Sequence, residues 1–136
     1  YLKKDCLILI TVPNDYSVLQ TYLNKKNLIK NEYWLSPRDH LSYFNTCSMQ
    51  NLFKKYSFQI LDLFGDYPIE MFNFNESSNY SLNPNLGKQA HNLRCKTASY
   101  LIETGIEPKE LLELSRSLAK CNLSRSISYL CKAINY

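Results

Sequence analysis

The chain has 136 residues, a formal charge of +4, 45% hydrophobic residues and 21% charged residues, the profile of one globular domain able to bury roughly two-thirds of its unfolded surface. No apolar run approaches the ~20 residues that a membrane helix needs, and the first residues lack the pattern of a secretory leader. Its three glycines, Gly65, Gly87 and Gly105, stand far apart, which excludes a glycine-rich phosphate cradle within these residues.

Cys6 to Val12 is an almost continuous apolar run closed by Pro13, the pattern of a strand covered on both faces, as in a parallel α/β sheet. Pro13-Asn14-Asp15 supplies a turn with helix-capping side chains. Val18, Leu19, Tyr22, Leu23 and Ile29 then recur at helical spacing, and a polar, aromatic loop runs from Asn31 to Asn45. Asn45 is placed to cap a helix striped by Met49, Leu52, Phe53 and Tyr56, with Lys54 and Lys55 in the last turn, where the helix dipole favours cations.

Phe58 to Phe64 reads as a second strand ended by Gly65-Asp66-Tyr67-Pro68, and residues 69–85 have loop composition. A helix over Leu86 to Glu103 follows, striped by Leu86, Ala90, Leu93, Ala98, Leu101 and Ile102 and stopped by Gly105. Pro108 opens the next, whose stripe is Leu111, Leu112, Leu114, Leu118, Ala119 and Cys121. Ser126 to Ile134 alternates Ile127, Tyr129, Cys131 and Ala133 with more polar neighbours, a strand with one better-buried face.

Three strands are few for an α/β sheet, which has about five or six. The apolar first strand asks for neighbours on both sides, so the expectation is half a fold. The chain opens at Tyr1 rather than Met, the expectation for a fragment or a processed product. Residues 1–136 form one segment, within which 69–123 is a helical insert serving as a lid or a dimer face.

The five cysteines, Cys6, Cys47, Cys95, Cys121 and Cys131, have neither a disulfide framework's spacing nor a zinc site's. The triplets at Asn75, Asn79 and Asn122 fit the glycosylation pattern, but an Asn- and Ser-rich chain produces them by chance. A reducing, cytoplasmic compartment is expected. The pairs Lys3-Lys4, Lys25-Lys26 and Lys54-Lys55 form no basic block. Stacking of eleven tyrosines beside them on nucleic acid is the minor reading against solvated element ends.

Leu7-Ile8-Leu9-Ile10-Thr11-Val12-Pro13-Asn14-Asp15-Tyr16-Ser17 followed by Leu19-Gln20 resembles the fifth strand and following turn of class I S-adenosylmethionine-dependent methyltransferases. Trp34-x-x-Pro37-x-Asp39-His40-Leu41-Ser42-Tyr43-Phe44 resembles the segment that their bacterial members carry next. Phe58-Gln59-Ile60-Leu61-Asp62 with Gly65-Asp66-Tyr67-Pro68 resembles the sixth strand. Gly87, His91, Arg94 and Ser124-Arg125 continue the likeness, which covers nearly the whole chain as the C-terminal half of that family. Where that family usually has glycine before the fifth strand, before the sixth and before the arginine preceding the seventh, this chain has Lys4-Asp5, Ser57 and Ser124, the mark of a divergent member.

The resemblance implies an α/β, Rossmann-like half-sheet of three strands, the last antiparallel and paired with the one before. It also implies methyl transfer from S-adenosylmethionine to a small-molecule acceptor. The cofactor's Gly-rich motif and ribose-binding acid would lie on the N-terminal half of the fold, leaving this segment inactive alone. The runner-up function is a non-enzymatic interaction or dimerisation module derived from that fold.

Ligands of open α/β sheets sit outside the carboxyl ends of the parallel strands. Asn14-Asp15-Tyr16, Asp66-Tyr67 and Ser124-Arg125 should therefore converge on one rim. Asn14 and Asp15 are candidate cofactor contacts or turn and cap residues in equal measure. His40 is the candidate general base, since His titrates near neutrality; the alternative is a histidine hydrogen-bonded to a loop carbonyl. Tyr43 and Phe44 are candidate walls of an acceptor pocket, with aromatic core packing the competing role, and Tyr16 and Tyr67 are candidate substrate contacts at the strand ends, with turn or capping residues the competing role. His91 and Arg94, three apart on one helix, bind an anionic acceptor group or hydrogen-bond the loop at 66–85. Arg125 is the anion-binding candidate by position. Expected partners are the acceptor, the N-terminal half and a second copy, with no metal and no membrane.

Overall fold

The computed structural model describes residues 5–134; Tyr1 and the Lys3-Lys4 pair lie outside the described residues. The chain is mixed α/β. Strands β1 (Leu7–Pro13), β2 (Phe58–Gly65) and β3 (Ser126–Ala133) alternate with helices α1 (Val18–Lys25), α2 (Thr46–Lys55), α3 (Gly87–Glu103) and α4 (Pro108–Lys120). Three short 3₁₀ segments, Ile69–Phe74, Glu76–Ser78 and Pro84–Leu86, interrupt the stretch read as plain loop. No described helix is long and apolar enough to cross a membrane.

The sheet order is β1-β3-β2, with β3 antiparallel to both neighbours. No two adjacent strands are parallel, yet β1 and β2 run the same way on either side of β3. Ile8, Ile10 and Val12 stand opposite Cys131, Tyr129 and Ile127. Ile60 and Leu63 stand opposite Cys131 and Tyr129 from the other side, across a register shift between Ile60 and Asp62. That face holds the core: Ile127, Tyr129, Cys131 and Ala133 are all buried, and Met49 and Phe53 of α2 pack on the first three with Ala119 of α4. The alternation in the last strand's sequence is thus a true inside and outside.

The opposite face overturns the expectation that β1 is covered on both sides. Leu7 and Leu9 are each 63% exposed, and β1 is an edge strand. The apolar run reports a demand for cover that the described residues do not meet. On the same face Arg116 of α4 donates two hydrogen bonds from Nε to the Asp62 carboxylate (3.1 and 3.0 Å) and lies 5.9 Å over the Phe64 ring. These bonds hold the Asp62 carboxyl below the usual carboxylate range.

Helix ends follow local chemistry. Asn45 caps α2 through a reciprocal box with Ser48. α1 stops at Lys25, short of Ile29, because Asn27 takes a left-handed φ of 54°; Ile29 still buries against Leu23 and Trp34 in a second small core. The helical stripes of the insert are less buried than their pattern suggests: only Ala90 on α3 and Ala119 on α4 are buried.

Asp5 and Ser57 also take left-handed φ values of 63° and 55°, and both stand where the resemblance expects glycine. Ser57 directly follows the C-cap Tyr56 of α2, the position where a left-handed residue ends many helices and a Cβ is strained. Ser57→Gly is expected to stabilise the fold by about 1 kcal/mol in urea denaturation. An unchanged or lower midpoint would show that the serine is unstrained.

Candidate functional site

The ends of β1 and β2 and the beginning of β3 meet at one rim. Past Pro13 the Asn14 amide donates to the Arg125 carbonyl (2.9 Å), and its side-chain Nδ2 donates to the Ser124 carbonyl (2.9 Å). Past Gly65 the Asp66 carboxylate accepts from the Ser126 amide (2.7 Å), while the Asp66 amide donates to the Ser126 carbonyl (3.3 Å). The turn between is tight, because Gly65 leaves no room: a Cβ there would lie 2.7 Å from the Ser124 Cβ and 2.8 Å from the Ala119 amide nitrogen.

Behind this rim lies a buried polar cluster. The Asp15 amide donates to the Phe44 carbonyl (2.8 Å). Ser17 caps α1, accepting from the Gln20 amide (3.3 Å), while Gln20 Oε1 accepts from the Ser17 amide (3.2 Å). This turns Gln20 inward, where its Nε2 donates to Glu70 Oε1 (3.2 Å). Pro68 opens the 3₁₀ segment that carries Glu70, and Arg125 Nη1 lies 3.7 Å from Glu70 Oε1. Tyr80 donates to the Tyr33 hydroxyl (3.2 Å), which also accepts from Asn73 Nδ2 (3.4 Å). Asn79 is buried too, its Nδ2 donating to the Leu28 carbonyl (2.7 Å), so the folded chain hides this glycosylation triplet.

Burial sets the electrostatics. Glu70 is fully buried, and desolvation raises its carboxyl above the ordinary 4.5, against the pull of Arg125 and the Gln20 hydrogen bond. Desolvation raises Asp15 as well, opposed first by Arg125. Burial and the Glu70 charge push Tyr33 up, and Tyr80 to about 12. Asn14 Oδ1, Glu70 Oε2, Asn73 Oδ1, Ser124 Oγ and Arg125 Nη1 are buried without a hydrogen-bond partner. Buried polar atoms are nearly always paired, so this concentration of free acceptors beside a guanidinium has the chemistry to hold a ligand bearing hydroxyl or amine protons. A carboxyl whose pKa is raised is a stronger proton acceptor than an ordinary one when it is ionised. No group of three His, Cys, Asp or Glu side chains is gathered for a metal among the described residues.

Of the residues singled out by sequence, Asn14, Asp15 and Arg125 belong to this cluster. Tyr16 sits beside it, exposed, in a left-handed conformation and edge-on to Trp34 at 5.7 Å. His40 is exposed, with Tyr43 edge-on at 6.2 Å, and its ring makes no hydrogen bond among the described residues; its positive charge, when protonated, favours ionised Asp15. The Tyr43 hydroxyl is buried without a partner. Phe44 packs against the main core, the competing role, because its loop leads directly into α2. Tyr67 faces the groove between α3 and α4. Arg94 donates to Asp66 (3.0 Å), fastening α3 to the turn after β2, which is the loop-binding alternative. His91 parts from it, its Nε2 lying 3.7 Å from Cys95 Sγ on the exposed side of the helix.

Gln20, Tyr33, Glu70, Asn73 and Tyr80 escaped sequence reasoning. The Ser17-x-x-Gln20 box was a readable signal; for Glu70, in an aperiodic Asn- and Ser-rich stretch, there was none. Compared with known protein families, curated proteins and solved structures, the chain matches none of them.

Proposed function

We propose that this chain is the acceptor-side, C-terminal half of a Rossmann-like, cytoplasmic S-adenosylmethionine-dependent methyltransferase. The observation that carries the reading is the rim where Asn14-Asp15, Asp66 with Glu70, and Ser124-Arg125 converge, at the carboxyl ends of two like-directed strands. Two details support it. The last strand runs against both others, and Asp5 and Ser57 take left-handed φ values, open to glycine, at positions where the resemblance expects glycine.

S-adenosylmethionine supplies an electrophilic methyl group. The work left to these residues is to hold a small acceptor in line and take up its proton, and alignment accounts for most of the rate. Asp15 and Glu70 have the raised basicity for the proton, and Arg125 the charge to fix an anionic or carbonyl oxygen. The Gly-rich turn and ribose-binding acid belong to the N-terminal half, which would also cover Leu7 and Leu9. The exposed edge of β1 equally favours a second reading, an interaction module that pairs with another chain.

Titration calorimetry separates the two. A parent chain joining these residues to a strand and Gly-rich turn is expected to bind S-adenosylmethionine in the micromolar range, and the 136 residues alone far more weakly. No heat from the parent chain up to about 1 mM ligand would overturn the enzyme reading.

A further inference from the structure

We infer that the α3–α4 insert is a self-association surface whose occupant is the same insert of a second copy of this chain. A groove of about 390 Å³ separates the two helices, lined by Tyr67, Leu101, Leu111 and Leu118 among others. Its lining exposes apolar side chains: Ile102 is 69% exposed, and Leu112 and Leu114 are exposed as well. Contiguous exposed apolar surface of this kind marks an interaction site.

Charge identifies the occupant. Residues 87–96 carry Lys88, Arg94 and Lys96 and no carboxylate, whereas 103–113 carry Glu103, Glu107, Glu110 and Glu113 against Lys109 alone. Arg94 pairs with Asp66 and Glu113 with Arg116. Lys88, Lys96, Glu103, Glu107 and Glu110 make no ion pair among the described residues. Along α3 the rise from Lys96 to Glu103 is about 10 Å and that from Lys88 to Glu103 about 22 Å. Both exceed the screening length of about 8 Å in physiological salt, so the two ends interact only weakly within one copy and stay open to a partner. A two-fold axis across the groove sets Lys88 and Lys96 of each copy against Glu107 and Glu110 of the other. The apolar linings then close into a four-helix arrangement. This inference does not depend on the methyltransferase reading.

The test is multi-angle light scattering of the 136-residue chain, with circular dichroism to verify folding. The expected result is a dimer. Lys88→Glu with Lys96→Glu should weaken it about tenfold or more, and so should Glu107→Lys with Glu110→Lys. These positions are exposed, so the monomers remain folded, and mixing the two double variants should restore a dimer through the reversed pairs. A monomer at every concentration would overturn the inference. So would a dimer indifferent to both reversals, or a mixture that stays monomeric.

Discussion

Arg125→Met is expected to destabilise the chain by about 3 kcal/mol near neutral pH, since removing one partner of a buried ion pair strands the other. Glu70 is the stranded group: fully buried, with Arg125 Nη1 3.7 Å from its Oε1 and the Gln20 amide donating to the same oxygen. Its raised pKa fixes the sign of the pH dependence. A group that holds its proton more tightly in the folded state contributes stability that is fully present below its unfolded value, here about 4.5, and lost as pH rises through the folded value. The cost of Arg125→Met should therefore be small at acid pH, where Glu70 is protonated with or without the arginine, and grow as pH rises through the raised folded value of Glu70, and Glu70→Gln in the same chain should remove most of it. Glu70→Gln alone should be neutral or stabilise by about 1 kcal/mol near pH 7, because the amide sheds the desolvation penalty while keeping the shape. Urea denaturation of the four proteins at two pH values reads the coupling directly. An Arg125→Met cost that is the same with Glu or Gln at position 70 would show that the two side chains do not form a unit.

Gly65→Ala should cost about 2–3 kcal/mol, the upper range for overpacking a filled site. The strand residue Gly65 is not left-handed, so backbone freedom is not at stake; space is. The new methyl would overlap the Ser124 Cβ and the Ala119 backbone, and α4 has no freedom to retreat while Ser115 Oγ donates to the Gly65 carbonyl (2.8 Å). Ser124→Gly removes the softer of the two obstacles and should recover part of the loss, measured by the same denaturation series. Because the Ser124 carbonyl accepts from Asn14, Gly65→Ala also disturbs the rim. A full-stability Gly65→Ala protein would contradict the close packing of β2 on α4.

Much of the fold was legible because its signals are local. The Asn45 cap, the Gly105 stop, the Pro108 start and the alternation at Ile127, Tyr129 and Cys131 depend on a few neighbouring residues each, and the structure uses all of them. Two kinds of feature were not legible. An apolar stripe records that a face needs cover without saying whether this chain supplies it, so β1 read as covered on both faces and is open on one, and the stripes of α3 and α4 did not say what covers them. Buried polar residues look like surface ones in sequence. Glu70 meets Gln20 across fifty residues and Asn79 meets Leu28 across fifty-one, and no periodicity links such positions. The rim itself was foreseeable from strand ends alone, whereas the polar cluster behind it needed the three-dimensional fold.

Hydrogen–deuterium exchange of the parent chain, with and without S-adenosylmethionine, tests the central claim most directly. The account predicts slowed exchange in the three segments that meet at the rim, 14–17, 66–70 and 124–126, and unchanged exchange along α3 and α4. Protection confined to the insert, or none anywhere in these residues, would contradict it.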